Sequence, residues 1–301
     1  MIIDAHQHVF WHGRNDAGLI ADMDEQGIDF AWVLTWEIPP DEPCFDMKAL
    51  NPTRVRVDGT HPGMTLEDVL ILRDRHPDRV IVGYCPDPRL PGATGQFEAA
   101  YHMHGVRVCG EWKFRLLMDD PRNLNLFRLA GKLGCPVTFH IDIPYMPKAD
   151  GKTSYWKEWY GGTVDNLERA IQACPGTIFE GHAPGFWRHI SGDEAAACDI
   201  YPKGPVTPGG RIQELMRKYP NLHADLSGGS GRFALDRDPT HAAGFLTEFA
   251  DRLMFGRDYY GSELHDFLRT LDLPRGVRDK IYFENALKLA GRPVRRSRQG
   301  G

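Results

Sequence analysis

The chain opens on Ile2-Ile3-Asp4-Ala5-His6-Gln7-His8-Val9, a short apolar run that turns polar at its end. In an extended strand alternate side chains share a face, so Asp4, His6 and His8 are expected to point the same way. Two imidazoles so placed can hold one divalent ion. Working outward, the same design recurs: a short apolar run, then a longer amphipathic stretch. The runs at 2–9, 30–36, 80–85, 106–114, 137–141, 177–181, 222–226 and 253–256 read as eight strands. Helical patterns fall between them at 17–26, 65–76, 95–104, 121–133, 163–173, 209–219 and 240–250, with 264–271 and 278–289 closing the chain. Strand and helix in alternation predict a parallel α/β sheet. Eight such units favour a closed (β/α)8 TIM barrel, which leaves no strand edge unpaired, over an open doubly wound sheet.

Local chemistry supports these boundaries. Asp120-Pro121 reads as an N-cap followed by proline in the first helical position, and Gly27 and Gly134 read as helix terminators. The connections at 37–64, 142–162 and 183–208 are long and rich in Pro, Gly and Trp. In a parallel barrel they lie at the C-terminal rim, where active sites form.

With 301 residues, 42% hydrophobic and 26% charged, the chain has the composition of an ordinary globular protein. Residues 1–291 read as one domain, and 292–301, with Arg292, Arg295, Arg296 and Arg298, as a basic tail. A net charge of −5 gives no case for nucleic acid. No stretch approaches the roughly 18 apolar residues of a membrane span. Cys44, Cys85, Cys109, Cys135, Cys174 and Cys198 are scattered without C-x-x-C spacing, which suits reduced thiols and a cytoplasmic location. Apolar patches on barrel helices are compatible with a homodimer.

Further polar residues fall where apolar strands give out. His140 ends Pro136-Val137-Thr138-Phe139-His140, His182 ends the run from Thr177, and Asp258 follows Leu253-Met254-Phe255-Gly256-Arg257. With His6 and His8 they would converge on one mouth of a barrel. On the fourth strand Glu111 and Lys113, two residues apart, share a face; Glu111 either binds metal or pairs with Lys113.

The chain resembles the amidohydrolase superfamily, and within it the branch that contains amino-carboxymuconate-semialdehyde decarboxylase. The matching segments are IDAHQHV (3–9), MDEQGIDFAWVL (23–34), PVTFH (136–140), FEGHAPGF (179–186), LHADLSGGSG (222–231), LMFGRDYY (253–260) and YFENALKLAG (282–291). The resemblance implies His6, His8 and His140 as metal ligands and Asp258 as ligand or proton acceptor. It implies His182 as either the ligand of a second ion or a catalytic acid/base. Binuclear members carry a carboxylated lysine or glutamate on the fourth strand, which is the metal-binding alternative for Glu111. Asp225 and Ser227 are candidates to orient a ligand histidine.

The expected cofactor is a divalent ion, Zn2+ first and Mn2+ second, one or two per chain. The expected activity is hydrolysis of an amide, lactone or related carbonyl compound, with Asp258 and His182 as the catalytic pair. The alternatives are decarboxylation of an unsaturated or aromatic acid, or non-catalytic binding of metal or sugar. The partner is then a small-molecule substrate, with no nucleic acid and no membrane. Trp36 and Trp187 offer flat faces near the rim, as do Trp11, Trp156 and Trp159. Lys113 and Arg115, with Arg14 and Arg188, offer charge for a substrate carboxylate. The remaining histidines, His12 and His223 among them, read as surface or capping residues.

Overall fold

A computed structural model of the chain describes residues 1–44, 47–193 and 199–293. Cys198, Arg295, Arg296 and Arg298 lie outside them. All eight expected strands form: β1 (Ile3–Gln7), β2 (Phe30–Val33), β3 (Val80–Val82), β4 (Cys109–Trp112), β5 (Val137–His140), β6 (Phe179–His182), β7 (Leu222–Asp225) and β8 (Leu253–Met254). Every pairing among them is parallel, in one sheet ordered β1-β2-β3 and a second ordered β8-β7-β6-β5-β4. Backbone hydrogen bonds cross both intervals between the sheets. The N–H of Arg107 donates to Val82 O at 3.0 Å and that of Tyr84 to Val108 O at 3.0 Å; on the other side Ala5 N–H donates to Phe255 O at 2.8 Å and Asp258 N–H to His6 O at 2.8 Å.

The strands are apolar on both faces because both are covered. One face packs on the helices. Val33, Val82, Phe139, Phe179, Ala224 and Phe255 join a single core with Leu19 and Met23 of α1 (Asp16–Glu25), Leu72 of α2 (Leu66–Arg75), Phe97 of α3 (Ala93–His104) and Phe127 of α4 (Pro121–Lys132). The other face carries Ile3, Ala5, Trp32, Leu34, Ile81, Val108 and Met254, packed with Ala286 and Ala290 of the C-terminal helix. The caps form as the sequence indicates: the Asp120 carboxylate accepts the Arg122 N–H at 2.9 Å, and Gly27 and Gly134 take positive φ.

Strand alternation fails at one informative place. Ile3 and Ala5 lie on the inner face, and so do the imidazoles of His6 and His8, because the β1–β2 register shifts between Asp4 and Gln7. A shift of one residue reverses which side chains face inward. Asp4 therefore does not share the histidines' face. It accepts Arg257 Nε–H at 2.7 Å and Arg257 N–H at 2.9 Å, and the same guanidinium reaches Asp22 of α1 at 2.7 Å. This buried Asp4–Arg257–Asp22 bridge ties the first strand, the first helix and the end of the last strand together.

Two helices are absent from the sequence pattern, the short Pro184–Trp187 and a longer one after β7. Gly228–Asp236 forms directly after β7, starting in Gly-Gly-Ser-Gly, a poor helix former. Close packing decides it: a Cβ on Gly231 would sit 2.4 Å from Leu226 O, so glycine lets the helix lie against the strand end. The loops at 37–64 and 142–162 each add an antiparallel pair, Trp36–Glu37 with Gly63–Met64 and Tyr145–Pro147 with Thr153–Tyr155. Among the described residues no helix is long and apolar enough to cross a membrane.

Two outcomes follow for stability. Arg257→Met leaves Asp4 as a buried carboxylate without its cation, while Asp22 keeps Arg14 at 2.8 Å, and is expected to cost about 3–5 kcal/mol in urea unfolding, part of which Asp4→Asn restores. His223, on the inner face of β7, is held down to about 4 by burial and by the charges of Arg252 and Lys288. The unfolded chain then binds the proton more readily, so stability falls as pH drops from about 6.5 to about 4. His223→Leu should flatten urea midpoints across that window, where the wild-type residue costs about 3 kcal/mol at the acid end.

Candidate metal centre

Where β1, β4, β5, β6, β7 and β8 end, the buried imidazoles of His6, His8, His140 and His182 meet four carboxylates, Glu111, Asp142, Asp225 and Asp258. Each imidazole is oriented by what its outer nitrogen binds. His6 Nδ1–H donates to Asp225 Oδ2 at 2.8 Å, His182 Nδ1 lies 3.1 Å from Asp225 Oδ1 and 2.8 Å from Ser227 Oγ, and His8 Nδ1–H donates to Leu34 O at 2.9 Å. With the proton on Nδ1, all three present Nε2 and its lone pair to the same space. His140 is turned the other way, with Nε2 2.8 Å from Asp142 Oδ2 and Nδ1 2.8 Å from Glu111 Oε1.

Glu111 stands between them. Its Oε2 is 3.4 Å from His8 Nε2, and its Oε1 is also 3.8 Å from His182 Nε2. The β4–β5 register shifts between Cys109 and Trp112, and this turns Glu111 inward although Trp112 packs in the helix-side core. Asp258 hangs above, 3.6 Å from His8 Nε2 through Oδ1 and 3.6 Å from His182 Nε2 through Oδ2. It follows β8 with φ of 57°, the left-handed region, and its carbonyl accepts the Trp11 indole N–H at 2.6 Å. Gly256 permits this convergence, since a Cβ there would lie 3.1 Å from His6 Cβ.

Three donor sets among the described residues have ligand atoms all within 4.8 Å of one another: His6, His8 and Glu111; Glu111, His140 and His182; and His6, His182 and Asp225, in which Asp225 meets the Nδ1 side of both rings. The charge balance suits a cation. Burial lowers the His6 pKa, yet the carboxylates of Asp225, Asp258 and Glu111 overcome it and push it up to about 10. Burial raises Glu111 and Asp225, but Lys113 and His140 bring the first well below the carboxylate range, and His182 and His6 do the same for the second. His6 Nε2 is buried with no hydrogen-bond partner, a cost that an ion would remove. Soft-to-borderline imidazoles with carboxylate oxygens suit zinc-class ions.

The expected site residues His6, His8, Glu111, His140, His182 and Asp258 are thus brought together, and Lys113 joins them. A cavity of about 300 Å3 opens over the cluster, lined by Lys113, His140, Asp142, His182 and Asp258 below and by Trp11, His12, Trp156, Tyr160 and Tyr259 around it. Other expectations are corrected. Trp187 is 1% exposed, packs on Phe186 and Phe245 and donates its indole N–H to Asp225 O at 3.2 Å. It is core, because the short helix Pro184–Trp187 folds back onto the sheet. Trp36, 2% exposed, lies beneath Lys113 and not on the cavity wall. Arg115 is outside the cavity lining, its guanidinium 5.9 Å from the Trp159 ring. Arg14 pairs with Asp22 at 2.8 Å. Conversely, His12 lines the cavity, and so does Asp142, which shares His140's strand parity and was legible as a His-x-Asp spacing.

These features define a parallel α/β protein with a candidate metal centre at the C-terminal ends of its strands. Residues 210–292 match the family model described as Amidohydrolase. The fold is similar to that of an uncharacterized TIM-barrel protein from Bordetella bronchiseptica, at TM-score 0.59 and 17% identity over 92% of this chain and 83% of that one. It is similar to 5-carboxyvanillate decarboxylase from Sphingomonas paucimobilis, at TM-score 0.58 and 15% identity over 97% and 99% of the two chains. An amidohydrolase from Burkholderia multivorans with bound zinc gives TM-score 0.59 and 14% identity over 97% and 100%. No curated protein sequence matches. The matched segment holds Asp225 and Asp258, while the histidines and Glu111 precede it.

The reassignment of Trp187 has a measurable outcome: Trp187→Ala should lower unfolding free energy by about 3–5 kcal/mol in urea, as for a large core side chain.

Proposed function

We propose that the chain is a metal-dependent hydrolase of the amidohydrolase type, built on a closed (β/α)8 barrel and acting on an amide, lactone or related carbonyl compound. His6, His8 and Glu111 would hold one divalent ion, Zn2+ or Mn2+, and Glu111, His140 and His182 a second. The observation that carries this reading is the position of Glu111, whose two oxygens face the two donor sets, Oε2 toward His8 and Oε1 toward His140 and His182. The bonds across both intervals between the sheets support barrel closure. When bound, such ions polarise a substrate oxygen and lower the pKa of water toward about 7.

The chain's own residues then have separate tasks. Asp258, 14% exposed at its side chain and facing the cavity, takes the proton from the attacking water and passes it to the leaving group. Asp225 fixes the rings of His6 and His182 through their Nδ1 atoms, and Asp142 fixes His140 through Nε2. His182, oriented by both Asp225 and Ser227, is assigned to ion binding and not to free acid/base work. Trp11, Trp156 and Tyr259 wall the cavity and limit water beside the bound substrate.

A carboxy-lyase reading has one support of its own, the likeness to 5-carboxyvanillate decarboxylase over 97% of the chain. Product analysis separates the two: hydrolysis incorporates solvent oxygen, whereas decarboxylation releases carbon dioxide and puts solvent hydrogen on carbon. For the ion count, elemental analysis of the purified protein should give about two zinc-class ions per chain. Glu111→Gln should bring this to one or fewer and depress turnover at least about a hundredfold, because an amide is a poorer ligand than a carboxylate. Unchanged stoichiometry in Glu111→Gln would remove it from the ligand set.

A further inference from the structure

We propose that the first turn of the helix Gly228–Asp236 is a subsite of the cavity that receives a neutral carbonyl oxygen of the substrate, with Ser230 as a specificity-determining residue. The inference rests on the hydrolase reading for the place of the reacting carbonyl, beside Asp258. A helix start leaves backbone N–H groups without intrahelical partners, and a serine at the N-cap normally satisfies one of them. Ser227 cannot, because its hydroxyl donates to Asp225 Oδ1 at 2.5 Å and lies 2.8 Å from His182 Nδ1, and the helix has no side-chain cap. Gly228 N–H donates to Arg257 O at 2.9 Å and Gly231 N–H to Ser227 O at 3.2 Å. Between them the N–H groups of Gly229 and Ser230 have no partner among the described residues.

The Ser230 side chain points to a ligand as well. It is 5% exposed, lines the cavity and has no hydrogen-bond partner among the described residues, a state that is costly for a buried hydroxyl. Ser230 Oγ, Asp258 Oδ2 and His182 Cε1 each lie 3.5 Å from the place that a Cβ on Gly228 would take. Glycine there leaves the way open between Asp258 and the helix end. Charge selects the kind of oxygen: Asp142, Glu158 and Asp258 bring three carboxylates to the cavity lining, against one lysine, Lys113, among the described residues. An anion at the helix end would stand beside Asp258 and be repelled, whereas a carbonyl oxygen carries only the partial negative charge that a helix start favours. Two N–H groups and one hydroxyl suit its two lone pairs. The substrate class is then a small compound with a second carbonyl close to the one attacked, on a frame that fits a cavity of about 300 Å3.

The test compares N-methylsuccinimide with N-methylpyrrolidinone, uncharged rings that differ by one carbonyl oxygen, as probes of the full chain at measured metal content. Calorimetry should show the imide bound at least about tenfold more tightly than the lactam by wild type. Ser230→Ala, which removes one atom and leaves the fold intact, should cut that ratio about threefold to tenfold by weakening the imide alone. Ser230→Thr, which keeps the hydroxyl, should retain most of it. In amide-proton spectra the Gly229 and Ser230 resonances should shift with the imide and stay in place with the lactam, a response that a merely structural Ser230 would not give. Equal affinity for the two probes in wild type overturns the proposal without any variant. A ratio that Ser230→Ala leaves intact, or resonances that the imide does not move, overturns it too. Since the readout is binding of one extra oxygen, it does not depend on which bond is broken; failure of the hydrolase reading would appear in the products instead.

Discussion

Asp225 is wholly buried, and its carboxylate accepts hydrogen bonds from two imidazoles that come from different strands, His6 on β1 and His182 on β6. Such a charge is tolerable only because the partners are close and correctly protonated. The same contact settles which nitrogen of each ring faces the cavity. Ser227 adds its hydroxyl and its backbone N–H to the same carboxylate, so the end of β7 is bound to its own product, the orientation of the donors. Remove the carboxylate and the His6 ring is free to turn, while His182 keeps only Ser227. In this sense the floor of the site is organised from below, by a group that need not touch a ligand.

Above that floor, two irregular pairings supply what regular strands would withhold. In β1 the shift after Asp4 brings His6 inward beside Ala5, and in β4 the shift after Cys109 brings Glu111 inward. A regular β1 would have faced His6 toward the helices and spent the inner positions on Ala5 and Gln7. Asp4, ahead of the shift and between the inward Ile3 and Ala5, faces the helices by ordinary alternation and pairs with Arg257, whose guanidinium is anchored by Asp22.

Much of this was legible in the chain. Eight apolar runs located the strands, and the His or Asp at the ends of four of them located most of the cluster, because burial on both faces imposes an unbroken apolar pattern and a polar residue at its end stands out. What escaped depends on tertiary geometry. Asp4 was assigned to the histidines' face because alternation carries no mark of a register shift. Trp187 was placed at the rim because sequence does not show that Pro184–Trp187 turns back onto the sheet. His12 looked like one surface histidine among several, and only the folded loop stacks it against Trp11 and Tyr259. The helix after β7 was hidden by glycines that exist for close packing and not for flexibility.

The seam between β1 and β8 sets an order of events during synthesis. His6 and His8 are made first, yet His6 meets Asp225 only after three quarters of the chain has been made, and the Asp258 N–H reaches His6 O only once β8 exists. These are contacts of very high sequence separation, which close late and slowly. A nascent chain therefore carries its imidazoles as an incomplete, loosely oriented donor set until its last strand docks. Completion of the donor set becomes a terminal step of folding, and any chain shortened before residue 258 would lack the full cluster while keeping most of its residues.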